Sequence, residues 1–226
     1  MKLVIFDLDQ TLVDFIFVHD EVTRDLFQRF FGVDARLTEI DFAGRSLNDN
    51  FRELAKLKNV SEATFNKTSG DLLHNYEEVF AEKIPENGLR YILPGVRELL
   101  DELSKMDYFI VLYTGGSPKI VASVFRATGL GRYFRFCFYG TEVATRADMV
   151  RLAIAKAEET THRKLKNRDI VILGDSIKDI ECGKLFNALT IAVATGFHSV
   201  EKLSKFGPDY LFKSLKDYRK VLQSIG

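Results

Sequence analysis

Four apolar residues, Leu3-Val4-Ile5-Phe6, run straight into Asp7-Leu8-Asp9-Gln10-Thr11-Leu12-Val13-Asp14. A buried strand that stops in two carboxylates one residue apart restricts the fold more than any other stretch of the chain. Side chains alternate along an extended chain, so Asp7, Asp9 and Thr11 can face the same side. In open α/β sheets the crevice beyond the carboxyl ends of the strands is where ligands bind. Ionised carboxylates held together repel unless a cation joins them. The opening segment therefore reads as one wall of a site.

The rest of the chain repeats the strand pattern. Leu3 to Phe6, Phe109 to Tyr113, Ile170 to Leu173 and Thr190 to Val193 are short, apolar and bounded by polar or turn residues, as buried parallel strands are. Phe134 to Tyr139 and Tyr210 to Phe212 read as weaker strands. Between them, Val96 to Met106, Met149 to Ala157 and Lys216 to Ile225 carry apolar residues at helical spacing. Strands alternating with helices predict an α/β fold, a Rossmann-like doubly wound parallel sheet. Residues 14–92 break the rhythm. Val18, Val22, Leu26 and Phe30 recur every four residues, Phe27 and Phe31 widen the stripe, and further amphipathic stretches follow at Leu47–Leu57, Ser61–Phe65 and Leu72–Phe80. The expected organisation is an α/β core of residues 1–13 and 93–226, with a helical insert at 14–92.

Composition narrows the classes. Formal net charge is zero, which gives no global basic field for nucleic acid or an anionic membrane. Two cysteines, Cys137 and Cys182, make no disulfide framework and fit a reducing compartment. The first apolar run stops at Asp7, too early for a signal-peptide core, and no stretch approaches the roughly 18 apolar residues of a membrane span. A cytoplasmic protein with a small-molecule partner is the expectation; the oligomeric state is not legible.

Four constellations carry chemistry, and each has a plainer alternative. In Asp7/Asp9/Thr11, Asp7 can attack phosphorus as a carboxylate nucleophile, and Asp9 can protonate the leaving alkoxide and then deprotonate water. A D-x-D pair by itself is more often an acidic turn. In Thr114-Gly115-Gly116-Ser117-Pro118, a hydroxyl and the N–H groups of a glycine turn can hold phosphate oxygens. Alternatively Ser117 simply caps a helix starting at Pro118. In Gly174-Asp175-Ser176-Ile177-Lys178-Asp179, Asp175 can join Asp7 at a metal, with Asp179 one turn on. Mg²⁺ suits such a site, being hard, octahedral and held by few carboxylates. The alternative is a helix cap with a surface Asp; Lys178 reads as solvent-facing. Finally, a phosphate beside these acids calls for a further cation. Arg146, at the start of the Met149 helix, is the best placed, whereas Lys164 and Lys166 sit in what reads as a solvated loop.

In this order and on these strands, the motifs resemble the haloacid dehalogenase-like hydrolase superfamily over essentially the whole chain, most closely its phosphoglycolate phosphatase and β-phosphoglucomutase-like branch. The resemblance implies that Asp7 is nucleophile and metal ligand, and that Asp9 is acid/base and a ligand through its carbonyl. Thr114 and Gly115 would hold phosphate. Asp175 would bind Mg²⁺, Asp179 would support the metal shell, and the insert would be a mobile cap. Gly44-Arg45-Ser46-Leu47 is similar to the branch's specificity loop, which implies that Arg45 meets a negative part of the substrate. Two positions depart from the family pattern: Gln10 stands where Gly is commonest, and Arg146 stands where Lys is typical. The implied function is a Mg²⁺-dependent phosphatase acting on a phosphoglycolate-like compound or a sugar phosphate. Alternatives are a phosphosugar mutase, a dehalogenase, a phosphonatase using a cap lysine, or a non-catalytic relative. A dehalogenase has no use for Asp9, because halide needs no proton, and none of Lys56, Lys58, Lys67 or Lys83 is marked out as a Schiff-base former.

Overall fold

The computed structural model describes all 226 residues. Six parallel strands form one sheet: β1 (Lys2–Phe6), β2 (Tyr108–Thr114), β3 (Phe136–Tyr139), β4 (Ile170–Gly174), β5 (Leu189–Val193) and β6 (Tyr210–Phe212), in the order β3-β2-β1-β4-β5-β6. The fold is α/β and doubly wound, as the alternation of patterns predicts. β1 lies between β2 and β4, so the strand order reverses beside it, where such sheets open a crevice. Register sets the heights of the site residues. Phe6 is level with Leu112 and with Leu173, so Asp7, Thr114 and Asp175 all emerge just past the same edge.

The nearly continuous apolar runs have a simple cause: both sheet faces are covered. Val4 and Phe6 of β1 point into a core shared with α4 (Val96–Leu103), α5 (Pro118–Thr128) and α9 (Tyr218–Ile225). Leu3 and Ile5 point the other way, against α6 (Arg146–Thr161) and α7 (Ile177–Leu185). A short helix, α8 (Val200–Ser204), precedes β6.

Residues 14–92 form α1 (Ile16–Phe31), α2 (Leu47–Leu57) and α3 (Glu62–Lys83). The sequence pattern split α3 into two stretches. It is one helix, capped by the Ser61 hydroxyl, which accepts from the Thr64 N–H at 3.1 Å. Residues of the polar run Asn66-Lys67-Thr68-Ser69-Gly70-Asp71 are exposed or half-buried all round the helix, so apolar periodicity disappears there while the backbone stays helical. Likewise α6 begins three residues earlier than the apolar pattern, because the Thr145 hydroxyl and the Asp148 carboxylate form a reciprocal cap. β3 is shorter than the 134–139 run, since Phe134 and Arg135 follow a 3-10 turn over Leu130–Tyr133. No helix is long and apolar enough to cross a membrane.

The chain leaves and re-enters the sheet layer at one place. The Asp14 N–H donates to the Tyr91 carbonyl at 2.8 Å, and the Leu93 N–H donates to the Leu12 carbonyl at 2.9 Å. Aromatic packing holds the insert together: the Phe51 ring lies 6.0 Å from Phe27 and 4.9 Å from Tyr76, all three buried. We predict that Phe51→Ala costs about 3–5 kcal/mol of stability, the range for an emptied aromatic core site, measured by urea unfolding. A loss below about 1 kcal/mol would contradict this packing.

Candidate active site

The site begins where β1 ends. The Asp7 N–H still follows the sheet, donating to the Leu173 carbonyl at 2.9 Å, and the residue is buried at 6% exposure. The chain then turns sharply. Gln10 adopts φ 62°, the left-handed region that disfavours a side chain, which accounts physically for glycine being common there. Gln10 is held by three bonds: its N–H to the Val13 carbonyl at 2.7 Å, its Nε2 to Asp14 Oδ1 at 2.7 Å, and its carbonyl accepting from Thr195 Oγ1 at 2.5 Å.

Arg146 reaches in from the first turn of α6. Its Nη2 lies 2.6 Å from Asp7 Oδ1 and 2.5 Å from Asp179 Oδ1. Its guanidinium carbon sits 4.1 Å from the centre of the Tyr113 ring, a cation–π arrangement. Lys164, by contrast, is exposed and pairs with Glu158 at 2.6 Å. Lys178 is exposed and pairs with Glu181 at 3.1 Å.

Asp7, Asp175 and Asp179 each offer an oxygen, and these lie within 4.8 Å of one another. Their hydrogen bonding separates them. Asp179 Oδ1 accepts from Arg146 and from the Tyr113 hydroxyl at 2.5 Å. Its Oδ2 accepts from the Ser176 N–H at 2.8 Å and the Ser176 hydroxyl at 2.5 Å. Those four bonds fill the carboxylate's lone pairs. Asp175 takes only the Thr11 hydroxyl on Oδ1 at 3.0 Å, and Asp7 takes only Arg146, also on Oδ1. Both therefore keep an open Oδ2. Gly196 makes room for the Asp175 oxygen, because a Cβ there would collide with it. The donor set is hard oxygen and suits Mg²⁺. Its charge fits as well: three buried carboxylates face one guanidinium, a deficit of two.

Asp9 is half-buried, and its Oδ1 lies 3.4 Å from Nε2 of His19 on α1. His19 Nδ1 is 2.7 Å from the Tyr76 hydroxyl on α3. Thr114 is 1% exposed, and its Oγ1 accepts from the Gly116 N–H at 3.1 Å, which leaves the hydroxyl proton to give. Ser117 caps α5, as the plainer reading of that loop holds. Gly115 does a second job. Its carbonyl accepts from the Leu47 N–H at 3.2 Å, and a Cβ on it would strike the Arg45 carbonyl, so insert and sheet loop meet backbone to backbone. A second bridge joins them where His198 Nε2, 3.1 Å from Asp41, meets the insert while its Nδ1 accepts from the Ile177 N–H at 3.2 Å.

These residues line a cleft whose empty volume, open mouth included, is about 600 Å³. Asp7, Asp9, Thr114, Gly115, Arg146 and Asp175 are on its walls, as is Arg45. Asp179 lies behind Arg146 and not on the wall. Arg45 lines the cleft, but its Nη1 is bound to Glu53 and lies 3.4 Å from the Asp41 carbonyl, an engagement the loop pattern did not reveal. Sequence reasoning also missed His19, Tyr113 and Ser176. His19 sits one residue from the apolar stripe of α1 and Tyr113 inside an apolar strand, so neither stood out.

Burial pushes the Asp7 carboxyl up to about 7 against the pull of Arg146, with Asp179 and Asp9 adding to the rise. Burial also raises Asp175 well above the carboxylate range, reinforced by Asp7 and Asp179. Burial works against the Arg146 charge, but Asp179, Tyr113 and Asp7 more than offset it and hold the guanidinium protonated. In the unfolded chain Asp7 titrates at roughly 4. Between that value and about 7 the native state binds more protons, so stability is lost as pH rises through this window. Thermal melting in chelator is expected to fall from about pH 5 to about pH 8, with a shallower slope in Asp7→Asn. A flat wild-type profile would contradict the assignment.

The model of the family described as haloacid dehalogenase-like hydrolase matches residues 4–193. The chain is 25% identical to a phosphoglycolate phosphatase of Vibrio parahaemolyticus, over 98% of this chain and 96% of that protein. It is 24% identical to the pyrophosphatase PpaX of Listeria welshimeri, over 97% and 95%. Among solved structures it is similar to a predicted phosphoglycolate phosphatase from Haemophilus somnus, with TM-score 0.77 and 19% identity over 99% and 98% of the two chains. It is similar also to a β-phosphoglucomutase from Clostridium difficile, with TM-score 0.74 and 17% identity over 100% and 97%.

Proposed function

The chain belongs to the haloacid dehalogenase-like hydrolase family, and on that footing we propose that it is a Mg²⁺-dependent phosphatase that hydrolyses a small phosphomonoester through an aspartyl-phosphate on Asp7. The observation that carries this reading is the pairing of Asp7, one oxygen held by Arg146 and one open, with Asp9 on the wall of the same cleft. A reaction expelling an alkoxide needs both an attacking carboxylate and a proton donor. The phosphatase and pyrophosphatase names of the relatives agree with it.

Asp7 attacks phosphorus, and the bond from phosphorus to the leaving oxygen breaks. Asp9 gives that oxygen its proton. Asp9 then takes a proton from water as the water attacks the aspartyl-phosphate, which releases phosphate and restores Asp7. Arg146 Nε, which has no partner in the protein, and the Thr114 hydroxyl are donors for the phosphoryl oxygens. Asp179, Ser176 and Tyr113 fix Arg146. Asp7 and Asp175, with the Asp9 carbonyl, would hold Mg²⁺, which supplies charge neutralisation at the transferring group. Asp179, its lone pairs filled, serves as a positioning residue instead. His19 orients Asp9. Residues 14–92 act as a cap over the core of 1–13 and 93–226, excluding bulk water during transfer. The enzyme works in the cytoplasm on a small-molecule ester, in keeping with two free cysteines and zero formal net charge.

The test is hydrolysis of an aryl phosphate with Mg²⁺ and with chelator. Activity is expected only with the metal, and Asp7→Asn is expected to lower kcat by about 10³-fold or more. Near wild-type turnover by Asp7→Asn would remove the nucleophile assignment.

A further inference from the structure

Two of the protein's buried polar atoms without a partner belong to residues lining the same cleft: Arg146 Nε and Asn50 Oδ1. They are opposite in kind. Arg146 Nε–H is a donor on the sheet side, matched to a phosphoryl oxygen. Asn50 lies on α2, on the insert side, and is 3% exposed. Its Nδ2 donates to the Phe42 carbonyl at 3.3 Å, which sets the amide orientation and leaves Oδ1 as a pure acceptor. Asn50 is also held in position relative to the phosphate loop. It sits one turn along α2 from Leu47, whose N–H is bonded to the Gly115 carbonyl beside Thr114.

The surroundings say what the acceptor is for. The insert's share of the wall is otherwise largely apolar, with Ile16, Leu37, Phe42 and Leu47. Its one arginine, Arg45, is committed to Glu53 and the Asp41 carbonyl. His19 is committed to Tyr76 and Asp9. The wall facing the leaving group thus offers an acceptor and apolar surface, and no uncommitted cation for a second anion.

We propose that Asn50 Oδ1 accepts a hydrogen bond from a hydroxyl of the leaving group. Asn50 thereby selects neutral, hydroxylated phosphomonoesters of the polyol or sugar class over carboxylate-bearing ones. This rests on the phosphatase reading and refines it: a carboxylate would meet the Oδ1 lone pairs, while a plain alkyl chain would leave the buried acceptor unpaired. Sites that bond a substrate hydroxyl discriminate strongly against analogues lacking it for this reason.

The experiment compares kcat/KM for glycerol phosphate, a pentose phosphate, propyl phosphate, phosphoglycolate and an aryl phosphate. Wild type, Asn50→Leu and Asn50→Asp are each measured with Mg²⁺. Ratios between substrates are independent of the folded fraction, so a poorly folding variant still reports. In wild type the better hydroxylated ester is expected to exceed propyl phosphate and phosphoglycolate by about 10- to 100-fold. Asn50→Leu is expected to collapse that ratio, and Asn50→Asp, which keeps an acceptor oxygen, to retain it. Preference for phosphoglycolate, or an unchanged ratio in Asn50→Leu, would overturn the assignment of Asn50 and leave the phosphatase reading intact. No turnover of any ester, the aryl phosphate included, would overturn both.

Discussion

The guanidinium of Arg146, wedged between Asp7 and Asp179, is the contact on which the site depends. Buried carboxylates are costly unless each is paired and hydrogen-bonded. Asp179 meets that condition fully, through Arg146, Tyr113 and Ser176. Asp7 and Asp175 meet it only in part, each with an oxygen left open. The imbalance is what makes chemistry possible there. Without a cation, burial drives these two groups to hold protons. On the proposed phosphatase reading, Asp7 and Asp175 would exchange those protons for a divalent ion, which would leave Asp7 ionised. A fully paired cluster would be more stable and would have no open oxygen.

An arginine here brings requirements that a lysine would not. Its planar fork needs a flat partner and acceptors in fixed directions. Tyr113 supplies the face at 4.1 Å, and Asp179 accepts from both Tyr113 and Arg146. The Tyr113 hydroxyl, Asp179 and Arg146 therefore act as one unit contributed by β2, α7 and α6. The reciprocal cap of Thr145 and Asp148 sets where α6 begins, and hence where Arg146 stands. Nη2 is occupied by two carboxylates, while Nε, on a residue that lines the cleft, has no partner in the protein. A lysine ammonium in the same place would present its three donors from a single nitrogen, with no separate Nε set apart from the carboxylates.

The sheet and the ends of its strands were legible from the sequence because burial on both faces leaves dense apolar runs, and acids at their ends stand out. Asp7, Asp9, Thr114 and Asp175 emerged this way, and the structure brings all four to one cleft. Arg146 was legible from charge need and position, and it too lies there. What escaped reading shares a physical reason: residues whose role depends on a partner far away in sequence. His19 looks like part of an amphipathic helix until Tyr76 and Asp9 are beside it. Tyr113 looks like one more core aromatic until its hydroxyl meets Asp179. Arg45 looks like a free loop cation, but Glu53, eight residues on and two turns into α2, takes it up.

On the proposed reading, the same reasoning accounts for how the insert would decide what the sheet can act on. The sheet side presents charge and donors: Asp7, Asp175, Arg146 and Thr114, all suited to a phosphoryl group and indifferent to what it is attached to. The insert side presents mostly apolar groups, with its ionic groups already paired: Arg45 with Glu53, and His19 beside Asp9. Discrimination there must come from the few polar atoms left unpaired, and their sign matters more than their number. A wall that holds back its arginine and offers a lone amide oxygen is built against a second negative charge. Backbone contact at Gly115 and the His198–Asp41 bridge fix the distance between the two walls. Any recognition on the insert wall is thereby tied in position to the Thr114–Gly115 loop.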